Sequence, residues 1–231
     1  MSNSMNISAW LKSSFIDFPG TVSTVLFLSG CNLHCPFCHN PTIVKNENPA
    51  ISLDDVLGHL KKRKGIIDGV VISGGEPTIH RELPALFEAV RELGVRVKLD
   101  TNGLNPQMIY RVKPDYLALD IKTVPEKYNF LGSTYSDTAQ RLQQSIAVVR
   151  NMAENAEVRI PVVPDFIGDD EIYKFLRLLR GVKKVFLQPF QNSTELLNED
   201  YRKKTPLSLE KLKYWSGMFK ERGIDCSVRG Q

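Results

Sequence analysis

The 231-residue chain is poor in the residues that build specialised scaffolds: it has four cysteines, four histidines and two tryptophans. Three of the four cysteines fall within eight residues, whereas a disulfide scaffold would spread them along the chain. No run of about 18 or more uncharged apolar residues occurs, so the sequence gives no sign of a transmembrane helix. Residues 1–10 lack the basic and apolar stretches of a secretory signal, and a cytoplasmic protein without a membrane partner is expected. There is no repeat of fixed period and no low-complexity tract. Neither sign of charge dominates: 30 Lys and Arg against 26 Asp and Glu give a formal net charge of +4. That excess is too mild to argue for nucleic acid, and no nucleic-acid partner is expected. Hydrophobic residues at 42% and charged residues at 24% are ordinary for a soluble globular chain and argue against wholesale disorder.

Short apolar runs alternate with amphipathic stretches. Residues 21–28, 68–73, 95–99, 116–121, 157–163 and 184–188 read as strands, β-branched or apolar and bounded by turn residues. Residues 225–228 suggest a last short strand. Between them, residues 52–64, 82–93, 106–112, 136–154, 169–180 and 208–222 read as helices. Ser52 stands at an N-cap, with Asp54 and Asp55 in the first turn and basic residues at the end, an order that suits the helix dipole. Pro84 falls in the first turn of the next helix and Gly94 just after its end. About six βα units imply right-handed crossovers and a parallel sheet with helices outside. Six units fall short of the eight that close a full barrel, leaving an open barrel or a doubly wound sheet. Polar residues collect at all six strand ends, which favours the barrel arrangement with a central site.

Three of the four cysteines fall in the loop after the first strand, Cys31-Asn-Leu-His-Cys35-Pro-Phe-Cys38. The spacing C-x3-C-x2-C can supply three corners of one metal centre. Iron–sulfur clusters usually have four thiolates, so three suggest an iron kept open for a ligand. Zinc remains the alternative, with His34, His39 or Cys226 as fourth ligand, although no second C-x2-C half is present. Cys226 itself reads as a small buried hydrophobe.

Further motifs follow in order: Gly74-Gly75-Glu76-Pro77, Asp100-Thr101-Asn102-Gly103, Leu119-Asp120-Ile121-Lys122 and Arg159-Ile160-Pro161-Val162-Val163-Pro164. With the cysteine loop, with Phe37 before its third cysteine, with Cys38-His39-Asn40-Pro41 and with Phe15-Ile16-Asp17-Phe18-Pro19-Gly20, they resemble the radical S-adenosylmethionine (radical SAM) superfamily. Within it they are most similar to the glycyl-radical-enzyme activating proteins. The likeness runs from about residue 14 to residue 191. It is greatest to activators of anaerobic ribonucleoside-triphosphate reductase and next to those of pyruvate formate-lyase.

The resemblance implies a partial (βα)6 TIM-like barrel. The domain would be single, over residues 1–231, with its core at about 14–191 and a C-terminal helix and tail at 192–231. It implies a [4Fe–4S] cluster on Cys31, Cys35 and Cys38, with S-adenosylmethionine on the fourth iron. A deoxyadenosyl radical would then take a Cα hydrogen from a glycine of a glycyl-radical enzyme, with anaerobic ribonucleotide reductase the expected partner. Flavodoxin or ferredoxin would supply the electron. Cofactor contacts are expected from Phe37, His39, Asn40, Gly74, Gly75, Glu76, Asp100, Thr101, Asp120, Lys122, Arg159 and Gln191. Lys122 would meet the methionyl carboxylate as a point charge. Gly74 and Gly75 would let the backbone approach the ligand. Asp100 and Asp120 would bind polar groups of the cofactor or a monovalent cation; the plainer alternatives are N-capping or ion pairs with Lys122 or Arg159. Gln191 stands where pyruvate formate-lyase activators carry a histidine, and no ferredoxin-like cysteine insertion follows the first motif. Asp17 either meets the partner's glycyl loop or simply forms a turn. The competing readings are another radical SAM reaction, on a small molecule or RNA, and a zinc-stabilised binding module.

Overall fold

A computed structural model describes residues 5–193 and 195–229. The chain opens with strands β1 (Ile7–Ser14) and β2 (Ser23–Leu28), then a short helix α1 (Pro41–Val44) and helix α2 (Leu53–Lys62). Strand β3 (Gly69–Gly74), helix α3 (Leu83–Arg91), strand β4 (Arg96–Thr101) and helix α4 (Pro106–Val112) follow. Next come β5 (Tyr116–Asp120), α5 (Thr138–Met152), β6 (Ala156–Val162), α6 (Asp169–Leu178), β7 (Lys184–Pro189), α7 (Leu209–Lys220) and β8 (Asp225–Val228).

The strands form one sheet in chain order, β1 to β8. β1 pairs antiparallel with β2. β2, β3 and β4 are parallel in register, as are β6, β7 and β8. An order that never reverses is the winding of a TIM-like barrel; a doubly wound sheet turns back at a switch point. The architecture is therefore the mostly parallel α/β sheet of the partial TIM-like class. The expected strands are present, and β1 is an addition that the sequence did not announce.

Parallel strands buried on both faces read as unbroken apolar runs, and Val70, Val71 and Ile72 of β3 are all buried. The helices start and stop where backbone chemistry requires. α3 carries Pro84 in its first turn, and Gly94 after it has φ +77°, a left-handed conformation that costs glycine nothing. Asp54 and Asp55 lie in the first turn of α2, and His59, Lys61 and Lys62 in its last, as the helix dipole favours. Ser52 precedes α2 with extended backbone, yet its side chain makes no capping hydrogen bond.

Two compact units divide the chain, one of residues 1–32, 42–101 and 107–117, the other of residues 33–41, 102–106 and 118–231. In the first, Phe18, Val25, Val71 and Tyr116 form a buried cluster, and the Arg96 guanidinium lies 4.9 Å above the Phe18 ring. In the second, Val158, Ile160, Val185 and Leu187 are fully buried core strand residues. Truncating any of the larger ones costs about 2–5 kcal/mol. Trp215 Nε1 of α7 donates to Asp169 Oδ1 in the first turn of α6, at 2.7 Å. Among the described residues, no helix is long and apolar enough to cross a membrane.

Candidate functional site

In the first unit the candidate residues gather where β2 and β3 end. Gly75 N donates to Leu28 O and Glu76 N to Gly30 O, each at 2.8 Å, so the exit of β3 runs beside the stem of the cysteine loop. Gly74 has φ +120°, and a Cβ there would collide with the Leu28 backbone. A Cβ on Gly75 would collide with the Gly30 carbonyl. The two glycines are thus required by the approach of the chain to itself.

Glu76 is 0% exposed, and a buried carboxylate is tolerated only when its oxygens are bonded. Its Oε1 accepts from Thr78 N (3.0 Å), Thr78 Oγ1 (2.5 Å) and Thr101 Oγ1 (2.7 Å). Glu76 and Thr101, both predicted to contact cofactor, therefore join the ends of β3 and β4. His80 Nε2 hydrogen-bonds the Ser29 carbonyl at 2.8 Å, tying the cysteine-loop stem once more. Asp100 is paired with Lys98 of the same strand, Nζ to Oδ1 at 2.5 Å. Residues two apart on a strand share a face, so this pair was legible in Val97-Lys98-Leu99-Asp100; it was overlooked in favour of more distant cations.

In the second unit Cys35 and Cys38 flank a tight turn, Cys38 N donating to Cys35 O at 3.0 Å. His34 N donates to Leu131 O at 2.7 Å, anchoring the loop's near side. Asp120 closes β5 and is gripped from both sides. Arg159 Nε of β6 lies 2.5 Å from its Oδ1, and Lys122 Nζ lies 3.1 Å from its Oδ2. Burial alone would raise the Asp120 carboxyl, but these cations hold it down at about 2. Burial works against the Lys122 ammonium, and the Asp120 carboxylate outweighs it, so its pKa stands above the ordinary lysine value. Lys122 N donates to the hydroxyl of Tyr128 at 3.1 Å. Tyr128 is buried, which pushes its own pKa up, and it fixes the backbone from which Lys122 projects. It sits in a 3-10 turn, Pro125–Leu131, and carried no sequence signal because the contact is between a hydroxyl and a main-chain group.

Burial pushes the Cys35 thiol up to about 12, with Lys122 opposing. A thiolate there needs a positive partner, which a bound iron provides. Among the described residues Cys31, Cys35 and Cys38 form no disulfide, so the donor set suits iron–sulfur ligation. Among the described residues no three His, Cys, Asp or Glu side chains stand together as a metal-ion site. The fit therefore lies in the chemistry and spacing of the thiols. Cys226 is fully buried, burial pushing its thiol up to about 11, as a small hydrophobe in the core would be.

The remaining expected contacts divide. Phe37 is buried against the rings of Phe166 and Tyr201, at centroid distances of 5.3 and 6.3 Å. His39 Nε2 hydrogen-bonds the main-chain carbonyl of Gln191 at 2.9 Å, which requires the proton on Nε2. Asn40 and Gln191 are exposed. Asp17 ties its own turn: Ser14 Oγ donates to Asp17 Oδ2 at 2.5 Å and accepts from Asp17 N at 3.2 Å. Phe15 and Ile16 project from that turn, 79% and 88% exposed.

A sequence model of the family described as the radical SAM superfamily matches residues 25–179, more than half of the chain. A protein of Methanocaldococcus jannaschii provisionally named a glycyl-radical enzyme activating enzyme is 28% identical over 232 residues, covering 96% of this chain and 94% of that one. The pyruvate formate-lyase-activating enzyme of Clostridium pasteurianum is 28% identical over 216 residues, covering 86% and 89%. Among solved structures, Streptococcus suis SuiB bound to precursor peptide SuiA superposes with a TM-score of 0.67 at 18% identity. That superposition covers 89% of this chain and 48% of SuiB, so the chain spans about half of that protein's length, and the likeness is one of fold.

Proposed function

The chain belongs to the radical SAM superfamily, and from that membership we propose that it installs a glycyl radical on a partner enzyme, anaerobic ribonucleoside-triphosphate reductase. The observation that carries the activase reading is the likeness over nearly both full lengths to a protein provisionally named a glycyl-radical enzyme activating enzyme; the choice of reductase rests on the sequence resemblance and on Gln191, where pyruvate formate-lyase activators carry a histidine. The family implies S-adenosylmethionine and a [4Fe–4S] cluster. Cys31, Cys35 and Cys38 would hold three irons and leave the fourth for the amino and carboxylate groups of S-adenosylmethionine. Held there, the cluster would supply the one electron needed to cleave S-adenosylmethionine at its sulfur–C5′ bond to methionine and a deoxyadenosyl radical, the species that would take the hydrogen atom of a glycine Cα.

The chain's own residues bind and orient. Lys122, steadied by Asp120 at its ammonium and by Tyr128 at its backbone, would meet the methionyl carboxylate. Arg159 keeps Asp120 ionised, so that Lys122 stays charged and fixed in direction. Glu76 and Thr101 would hold the Gly74-Gly75 main chain toward the methionyl ammonium. Phe37 packs the cysteine loop from within, and His39 and Gln191 would border the nucleoside. Asp100 and Asp120 are each held in ion pairs with neighbouring cations, the plainer of the two roles expected of them. The electron would come from flavodoxin or ferredoxin in an anaerobic cytoplasm.

Activation of pyruvate formate-lyase is the second reading, favoured by the C. pasteurianum relative. The two are separated by mixing anaerobically reconstituted protein, reductant and S-adenosylmethionine with each candidate partner. A glycyl-radical doublet in the EPR spectrum of one partner identifies it; no doublet on either rejects the proposal. Cys35→Ala should abolish cleavage of S-adenosylmethionine, and full cleavage by that variant would remove the cysteine loop from the chemistry. Zinc without sulfide in the purified protein would reject every radical reading.

A further inference from the structure

The stretch after β7 folds back onto the second half of the cysteine loop. Leu197 N donates to Cys38 O at 3.0 Å, and Asn198 N to Pro36 O at 2.9 Å. Two successive amides thus hold the main chain on either side of Phe37. Its ring forms the other half of the contact. Phe37, Phe166 and Tyr201 make a closed aromatic trio, with Phe166 and Tyr201 6.3 Å apart between centroids. Such pairs hold geometry more firmly than their buried area alone would.

The stretch is itself secured along its length. Leu196 is buried. The Asn198 side chain accepts from Asp200 N at 3.0 Å and starts the 3-10 turn Glu199–Lys203, which carries Tyr201. Lys204 Nζ pairs with Asp165 at 2.7 Å, beside Phe166, and Asn192 Nδ2 donates to the Lys204 carbonyl at 2.9 Å. None of these residues belongs to a motif, and none reaches the Asp120 and Lys122 pair by any of these bonds.

We infer that residues 196–204 are a clasp that pre-orders the arc from Cys35 to Cys38 for the cluster, with Tyr201 as its chief positioning residue. The inference rests on the reading of Cys35 and Cys38 as iron ligands. A loop that donates two thiolates loses conformational freedom when it binds, and that loss opposes binding. Two main-chain hydrogen bonds and a ring contact impose the order beforehand, so less remains to be lost. Linkage makes the effect reciprocal: if the clasp strengthens cluster retention, the cluster must stabilise the clasp by the same factor. Tyr201 acts through Phe37 and the loop, so its ring matters and its hydroxyl does not.

Hydrogen exchange and iron release test this on the full chain. The wild-type protein is compared as reconstituted with iron and sulfide and after stripping of iron. Amides in 196–204 should exchange several-fold more slowly in the loaded protein, as reciprocity requires. Tyr201→Ala should lose iron to a chelator roughly tenfold faster, the low end of what loss of a supporting contact costs a metal site. Tyr201→Phe should release iron at the wild-type rate, with an unchanged visible spectrum. Equal exchange in the loaded and stripped states overturns the clasp, and that comparison needs no variant to fold. Equal iron release by Tyr201→Ala and wild type also overturns it. Failure of the wild-type protein to take up iron and sulfide would instead defeat the reading of the cysteines, and the clasp with it.

Discussion

Two strand ends carry the same residue types in opposite order. β4 closes Lys98-Leu99-Asp100-Thr101, and β5 ends and exits as Asp120-Ile121-Lys122. In both, a lysine and an aspartate two residues apart form an ion pair. The lysine of β4 precedes its carboxylate, lies inside the strand and is 1% exposed. The lysine of β5 follows its carboxylate, beyond the strand, with 24% of its side chain exposed. Asp120 also receives Arg159, whereas the ammonium of Lys98 is sealed beneath the surface it neutralises. One pair is a tether within the strand, and the other leaves about a quarter of its lysine side chain exposed beyond the strand. Composition cannot separate them; position relative to the strand end does.

The tether should be the costlier pair to break. Lys98→Met takes the ammonium from the Asp100 carboxylate, and removing one partner of a buried pair costs about 3–5 kcal/mol. Urea unfolding should show a fall of that order, and a loss below about 1 kcal/mol would mean that the pair is not a tether. Arg159→Met should cost less, roughly 1.5–3 kcal/mol for a hydrogen bond between charged groups, because Lys122 remains on Asp120. The Asp120 carboxyl should rise from its depressed value in that variant, which NMR titration of the side chain would register. An unmoved titration would assign the depression to Lys122 alone.

Acid is a gentler probe of the same site. The folded Asp120 carboxyl ionises at about 2, below its ordinary value of 3.8. A depressed carboxyl stabilises the fold at pH above the ordinary value, and the contribution disappears as pH falls through the folded one. Stability measured across pH 4 to 2 should therefore fall less steeply in Asp120→Asn than in wild type. Parallel curves would remove Asp120 from the acid response.

Much of this was legible in the sequence. Apolar runs bounded by turn residues located the parallel strands, and α4 and β8 have the boundaries that the pattern predicts. β1 was missed because Ile7–Ser14 mixes buried and exposed positions without alternation, and only its antiparallel partner makes it a strand. The 3-10 turn of Tyr128 was missed because its role is a bond to a main-chain amide. Residues 196–204 left no trace for the same reason: Leu197 and Asn198 act through backbone N–H groups that every residue but proline has. Residue types announce side-chain chemistry, so Cys31, Asp120, Lys122 and Arg159 stood out. The groups that hold them in place did not. Gly74 and Gly75 lie between the two cases, since their need was visible and the atoms that impose it, on Leu28 and Gly30, were not.

The smallest change in stability should accompany the largest difference between the two pairs. Lys122→Ala removes a partly exposed ammonium from a carboxylate that retains Arg159, so the fold should lose no more than about 1 kcal/mol. If Lys122 meets the methionyl carboxylate, the same variant should bind S-adenosylmethionine roughly tenfold more weakly, about 1.4 kcal/mol, with iron and sulfide content unchanged. Lys98→Met, despite its greater cost to the fold, should bind S-adenosylmethionine with nearly wild-type affinity wherever it is folded. Calorimetry on both cluster-loaded variants makes the comparison directly. Equal affinities for Lys122→Ala and wild type would reduce the second pair to a tether like the first. A large loss of affinity in Lys98→Met would promote the first to the rank of the second. Only the combination of a stable, weak-binding Lys122 variant and a fragile, tight-binding Lys98 variant preserves the distinction.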